Sequence, residues 1–158
     1  IGPLAAALRA RGWVGQWVVV GEGPLRSGCE AEVGRLGLGG VVKFVGFQRE
    51  VGDWLEVLDL FVLPSREEGL SLALLEALAA GVPVAATEVG DNRAVLEGGR
   101  WGTLLTGDER AWSEVLCGVM ERMARGGLGG QVEGGQARVR REYSMERTVA
   151  EYEMVYDG

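Results

Sequence analysis

The stretch Pro64–Gly81 reads PSREEGLSLALLEALAAG. Leu70, Leu72, Leu74, Leu75 and Leu78, with Ala73, Ala77, Ala79 and Ala80, leave almost no polar face, and a helix apolar on all sides is expected to be buried. Glu76 stands in the middle of it, and a buried carboxylate is costly unless something hydrogen-bonds to it. Glu67, Glu68 and Gly69 precede the helix, and seven residues separate Glu68 from Glu76. Between the two acids lie the free N–H groups of a helix N-terminus, which suit an anion. The combination asks for a ligand with hydroxyls at both ends and phosphate in the middle.

Working outward, Asp59–Leu63 is a short apolar run ended by Pro64-Ser65. Gly81 caps the helix, Pro83 stops it, and Val82–Ala86 is the next apolar run. Upstream, Trp17–Val20 and Val41–Val45 have the same continuous apolar character, the mark of buried parallel strands. Helices are expected over Pro3–Arg11, from Pro24 to about Leu36 (with Leu25, Cys29, Val33 and Leu36 inward) and around Val51, Trp54, Leu55 and Leu58. Downstream, Trp101–Leu105 reads as a fifth strand and Asp108–Arg125 as an amphipathic helix started by Asp108 or Glu109. Gln136–Glu142 and Ser144–Tyr156 read as terminal helices, with Ser144 as N-cap. Six glycines in Gly126–Gly135 weaken any helix there. The alternation predicts an α/β fold, a Rossmann-like parallel sheet of about five strands with helices on both faces. Ligands then bind beyond the strands' C-terminal ends, at the loops 21–24, 46–48, 64–69 and 87–92.

The bulk numbers restrict the function. With 16 basic and 23 acidic residues the net charge is −7, which disfavours a binder of nucleic-acid backbones. The chain has two cysteines and no histidine, too few nitrogen and sulfur ligands for a zinc site, and a reduced, cytoplasmic setting is expected. At 158 residues it is sized for one domain with its own core. It begins with Ile1 rather than Met, so a piece of a longer protein is expected.

Five segments in order resemble the C-terminal, donor-binding domain of the retaining GT-B-fold glycosyltransferases of the large family four group. They are VVVGEGPLR (Val18–Arg26), VVKFVGF (Val41–Phe47), DLFVLPSREEGLSLALLEALAAGVPVAAT (Asp59–Thr87), EVGDNRAVLEGGRWGTLL (Glu88–Leu105) and REYSMERTVAEYEMVY (Arg141–Tyr156). The third is similar to the family signature with its Glu-x7-Glu motif. The resemblance implies one lobe of a GT-B fold over residues 1–158, truncated at its N-terminus and without the acceptor-binding N-terminal domain. It implies that Glu68, at the catalytic position, meets hydroxyls of the donor sugar and that Glu76 binds the nucleotide ribose. Gly69, Leu70, Ser71 and Leu72 match the turn whose amides meet the diphosphate. Gly46, Phe47 and Gln48 match the loop that receives the base. Gly21 and Gly23 match a turn near the donor, and Thr87 and Gly90 lie in the loop that closes over it. The implied donor is a UDP- or GDP-sugar, with no metal and no other cofactor. The implied partner is the acceptor-binding domain of the same protein, through which peripheral membrane association is open. The function so implied is hexosyl transfer with retention, in glycan biosynthesis, by the full-length enzyme.

This chain departs from the family where the phosphate-binding Gly-Arg…Lys-Gly stretch would precede it. Lys43 lies on a strand and does not fill that role, and Ala94 stands where many relatives carry Glu. Plain structural readings stand beside the functional ones. Glu76 and Glu68 can be solvated acids, Phe47 can pack on the sheet edge, and Thr87 and Asn92 are turn residues first. The five tryptophans are core or edge packing, and Arg138–Arg141 is a solvated face. The rival functions are a non-catalytic nucleotide-binding or interaction module and a sugar-nucleotide epimerase lobe.

Overall fold

Trp17–Val20 forms the first strand, β1, and pairs in parallel with β2, Val42–Gly46. A computed structural model describes residues 1–156, apart from the side chains at positions 148, 151 and 155. Its contacts divide the chain into two compact units, Ile1–Val51 with Thr106–Arg122, and Gly52–Leu105 with the residues from Met123 onward.

In the first unit α1 (Gly2–Ala10) precedes β1 and α2 (Arg26–Arg35) connects β1 to β2. Trp17, Val19 and Phe44 pack on a buried group of Ala5, Val33, Leu38 and Val42. α2 departs from the expected inner face. Leu25 is exposed in the turn that Gly23 and Pro24 open, Leu36 is exposed as well, and only Val33 of the expected face is buried. The helix starts at Arg26, two residues after Pro24, because the Arg26 N–H closes that turn on the Gly23 carbonyl at 3.1 Å. Asp108 caps α6 (Glu109–Ala124) as expected, its Oδ1 accepting from the amides of Arg110 and Ala111 at 3.1 and 2.9 Å. Both cysteines, Cys29 and Cys117, are free thiols.

In the second unit α3 (Val51–Glu56) leads into a parallel sheet of β3 (Phe61–Leu63), β4 (Val84–Thr87) and β5 (Thr103–Leu105), with β4 in the centre. β4 is buried at every position, as a central strand covered on both faces must be. Between β3 and β4 runs α4, Leu72–Ala80, ended by Gly81 in the left-handed conformation at φ 76°. Short α5 (Asn92–Val95) and a 3-10 turn, Glu97–Gly99, link β4 to β5. All five expected strands form and all pairings are parallel, in a two-stranded and a three-stranded ladder.

The glycine-rich segment is more helical than its composition predicts. α7 runs from Gly129 to Glu142, seven residues longer at its start than the expected helix. The reason is close packing. A Cβ at Gly135 would stand 2.8 Å from Leu78 of α4, and one at Gly134 would enter the ring of Trp101. Gln136 also donates to the Ala79 carbonyl at 2.8 Å, at the C-terminal end of α4. Arg138, expected on a solvated face, is instead 12% exposed. It pairs with Glu97 and, at 3.0 Å, with Glu142, and donates to the Ala94 carbonyl at 3.2 Å. Arg141, with Arg138 adding its charge, holds the Glu142 carboxyl below the usual carboxylate range. α8, Met145–Tyr156, follows Ser144, which caps it by accepting from the Arg147 amide at 3.3 Å. Among the described residues no helix is long and apolar enough to cross a membrane.

Candidate functional site

In the second unit the loops that follow β3 and β4 are joined to one another. Thr87, the last residue of β4, donates its hydroxyl to the Ser65 carbonyl at 2.6 Å, with the Leu63 carbonyl at 3.3 Å. Ser65 donates its own hydroxyl to Glu68 Oε1 at 2.7 Å. Asn92, 0% exposed, donates through Nδ2 to the Thr87 carbonyl at 3.0 Å and so closes the loop after β4. The Asp91 amide reaches the Gly69 carbonyl at 3.2 Å. Gly90 lies flat against the same segment at φ 51°; a Cβ there would stand 2.6 Å from the Gly69 oxygen and nearer still to that of Glu68. Only a glycine permits both that backbone angle and that approach.

α4 begins just beyond Gly69. Ser71 is its N-cap, buried, with Oγ accepting from the Leu74 amide at 3.4 Å and its carbonyl taking the Leu75 amide at 3.2 Å. The amides of Leu72 and Ala73 have no partner within the helix, and they carry the positive end of its dipole. The expectation of a helix buried on all sides is corrected here. Leu74, Leu75, Ala77 and Leu78 are buried, but Leu72 is 69% exposed, and Ala73, Glu76 and Ala80 share its open face. Positions 72, 76 and 80 are one turn apart and align in one stripe. Glu76 therefore carries no burial penalty that a ligand must relieve, and that step toward a ligand falls. Glu68 is half-buried, with one carboxylate oxygen committed to Ser65.

In the first unit the ends of β1 and β2 meet in the same manner. Val20 pairs with Gly46 after a register shift, and the Gly21 amide donates to the Gly46 carbonyl at 2.8 Å. Gly21 and Gly46 take φ of 123° and 75°. Glu22 and Arg26 pair across Gly46, leaving 2.7 Å between the Glu22 carboxylate and a Cβ placed there. The hydrogen bond that Arg26 donates to Glu30 raises the Arg26 pKa, with the Glu22 charge adding and desolvation opposing. Gln48 donates to the Val45 carbonyl at 2.7 Å and orders the loop. Phe47 is 75% exposed, so the plain alternative of packing on the sheet edge does not hold; it follows the turn at Gly46.

The expected residues thus fall into two sets. Glu68, Gly69, Leu70, Ser71, Leu72, Glu76 and Thr87 lie around one helix start and two linked loops. Gly21, Gly23, Gly46, Phe47 and Gln48 lie at the ends of β1 and β2. Sequence reading passed over Ser65. The spacing Ser65-x-x-Glu68 was the signal for it, but that spacing is common in loops. Among the described residues no three His, Cys, Asp or Glu side chains cluster as metal ligands do.

A family profile described as "Glycosyl transferases group 1" matches residues 4–122. The chain belongs to the group 1 glycosyltransferases. The lipopolysaccharide core biosynthesis mannosyltransferase LpsB of Rhizobium meliloti is 34% identical to it over 135 residues, 84% of this chain and 38% of LpsB. Anabaena HepE, solved in complex with UDP, superposes at a TM-score of 0.82 with 21% identity, over 97% of this chain and 44% of HepE. The C-terminal domain of the group 1 protein LpcC of Francisella tularensis superposes at 0.75 with 24% identity, over 91% of this chain and 78% of that domain. The fold of this group 1 glycosyltransferase is thus one GT-B lobe, the C-terminal one. Its chain spans less than half the length of LpsB and HepE.

Proposed function

We propose that this chain binds a nucleoside-diphosphate sugar and, with an acceptor-binding lobe, supports transfer of the sugar with retention. The observation that carries the reading is the anchored Glu68 beside the open N-terminus of α4, at the C-terminal ends of β3 and β4. A carboxylate that accepts hydrogen bonds from hydroxyls and a helix start that attracts phosphate are the two chemistries a sugar diphosphate needs. In this reading Glu68 takes the sugar, the amides of Gly69–Leu72 take the diphosphate and Glu76 takes the ribose. The exposure of Glu76 supports its availability. Further support comes from HepE, which was also solved with UDP-glucose. The task of the domain is to position the donor and to stabilise the leaving diphosphate.

The test is a ligand-observed NMR titration of UDP-glucose and GDP-mannose against this chain. Glu76→Ala is expected to weaken binding by about tenfold, the worth of one hydrogen bond to a charged group. Unchanged affinity removes Glu76 from the ribose role. These 158 residues by themselves are expected to bind without measurable transfer, since in this reading a separate lobe binds the acceptor. Turnover in a radiolabelled-sugar assay would contradict that.

A further inference from the structure

Three hydroxyl and carboxylate groups form a line from the sheet to the loop. Thr87 is 4% exposed at the end of the central strand, and its hydroxyl points across to the neighbouring loop rather than to solvent. It holds the Ser65 carbonyl at 2.6 Å, and Ser65 holds Glu68 Oε1 at 2.7 Å. Each hydroxyl has a single proton, and both protons are spent inside this line. The strand β4, ordered by its partners on both sides, thereby fixes a flexible glutamate two connections away.

We propose that Ser65 and Thr87 are positioning residues for Glu68. Ser65 occupies Oε1 and sets the plane of the carboxylate, which leaves Oε2 to accept a hydroxyl of the donor sugar. Thr87 fixes the backbone of Ser65 and so acts one step further back. The proposal rests on the reading of Glu68 as a sugar contact. It reassigns Thr87 from donor contact to support, because a buried hydroxyl already engaged has no proton to offer a ligand. It also separates the two halves of the donor. The sugar is read through Glu68, whereas the diphosphate meets backbone amides that neither hydroxyl touches.

That separation supplies the test. UDP and UDP-glucose, and GDP and GDP-mannose, are titrated by NMR into the wild-type chain and into Ser65→Ala, Ser65→Thr, Thr87→Val and Thr87→Ser. Ser65→Ala and Thr87→Val are expected to weaken the sugar nucleotide by about tenfold and to leave the parent nucleotide unchanged, while Ser65→Thr and Thr87→Ser restore the difference. Equal losses on nucleotide and sugar nucleotide mark a merely structural role and overturn the proposal, as does no loss on either. Thermal melts accompany each variant, and should Thr87→Val fail to fold, the Ser65 pair decides. A wild-type chain that binds none of the four ligands overturns the donor-binding reading itself. One that binds them with Ser65→Ala indifferent overturns only the positioning.

Discussion

One methyl group at Gly90 is expected to push the Glu68–Gly69 segment out of place and to weaken sugar-nucleotide binding by about ten- to a hundredfold, the range for losing a hydrogen bond to a charged group. The added Cβ would lie 2.6 Å from the Gly69 oxygen and 2.7 Å from the Glu68 carbonyl carbon, with the Glu68 oxygen nearer still. Ordinary carbon–oxygen contacts need about 3.3 Å, so the two segments must part by most of an ångström or more. Both sides of the contact are backbone, which cannot swing aside as a side chain can. The φ of 51° adds about 1–2 kcal/mol for any residue with a Cβ. The Asp91 amide bond to Gly69 is lost with the same movement. Circular dichroism should show Gly90→Ala folded, so that the deficit appears in the NMR titration with UDP-glucose or GDP-mannose. Wild-type affinity in the folded variant would mean that the position of this segment does not matter to binding.

Gly134→Ala is expected to destabilise the protein by about 1–3 kcal/mol, the usual cost of overpacking, although alanine is the better helix former by about 1 kcal/mol. The new methyl would lie 2.7 Å from Cη2 of Trp101 and closer to Cζ3 and Cε3. The ring is held in place. Its Nε1 donates to Glu97 at 2.8 Å, and Arg100 stacks over its face at 4.4 Å. Gly130, four residues earlier in the same helix, has open space where its Cβ would be. Alanine there should stabilise by about 0.5–1 kcal/mol. Urea melts of the two variants should therefore shift in opposite directions. A shift in the same direction would show that the Trp101 ring yields.

How much of this was legible can be judged at particular residues. Trp17–Val20 was readable as a strand to the residue, because four consecutive apolar side chains have few other uses. The end of α4 was readable from Gly81 and Pro83, whose backbone demands are local. The burial of α4 was not. Hydropathy records what Leu72 and Ala73 tolerate, not whether anything lies over them, so a helix apolar all round left one face open. α7 was underestimated because propensity charges each glycine locally, while the ring that requires Gly134 belongs to Trp101, 33 positions away in sequence. Arg138 reads as surface in any window of its own helix, and Glu97, which draws it in, is 41 positions upstream. In the candidate site, Glu68 and Glu76 were singled out by two acids flanking an apolar helix start, and likeness to a family signature supplied the roles expected of them. Ser65 was missed because a serine three residues before a glutamate looks like any polar turn.

The composition of α7 also bears on the order in which the chain assembles. A helix of 14 residues with four glycines does not persist as an isolated segment. It acquires its shape from Trp101, Leu78 and Ala79, the last of these 57 positions from its partner Gln136. Those groups must be in place before α7 has anything to dock on. The helix is therefore expected to join late, after the three-stranded sheet, and to be among the first parts to come away. Gly134→Ala should accordingly register as faster unfolding with refolding little changed, and a slowed refolding limb would place α7 in the nucleus instead.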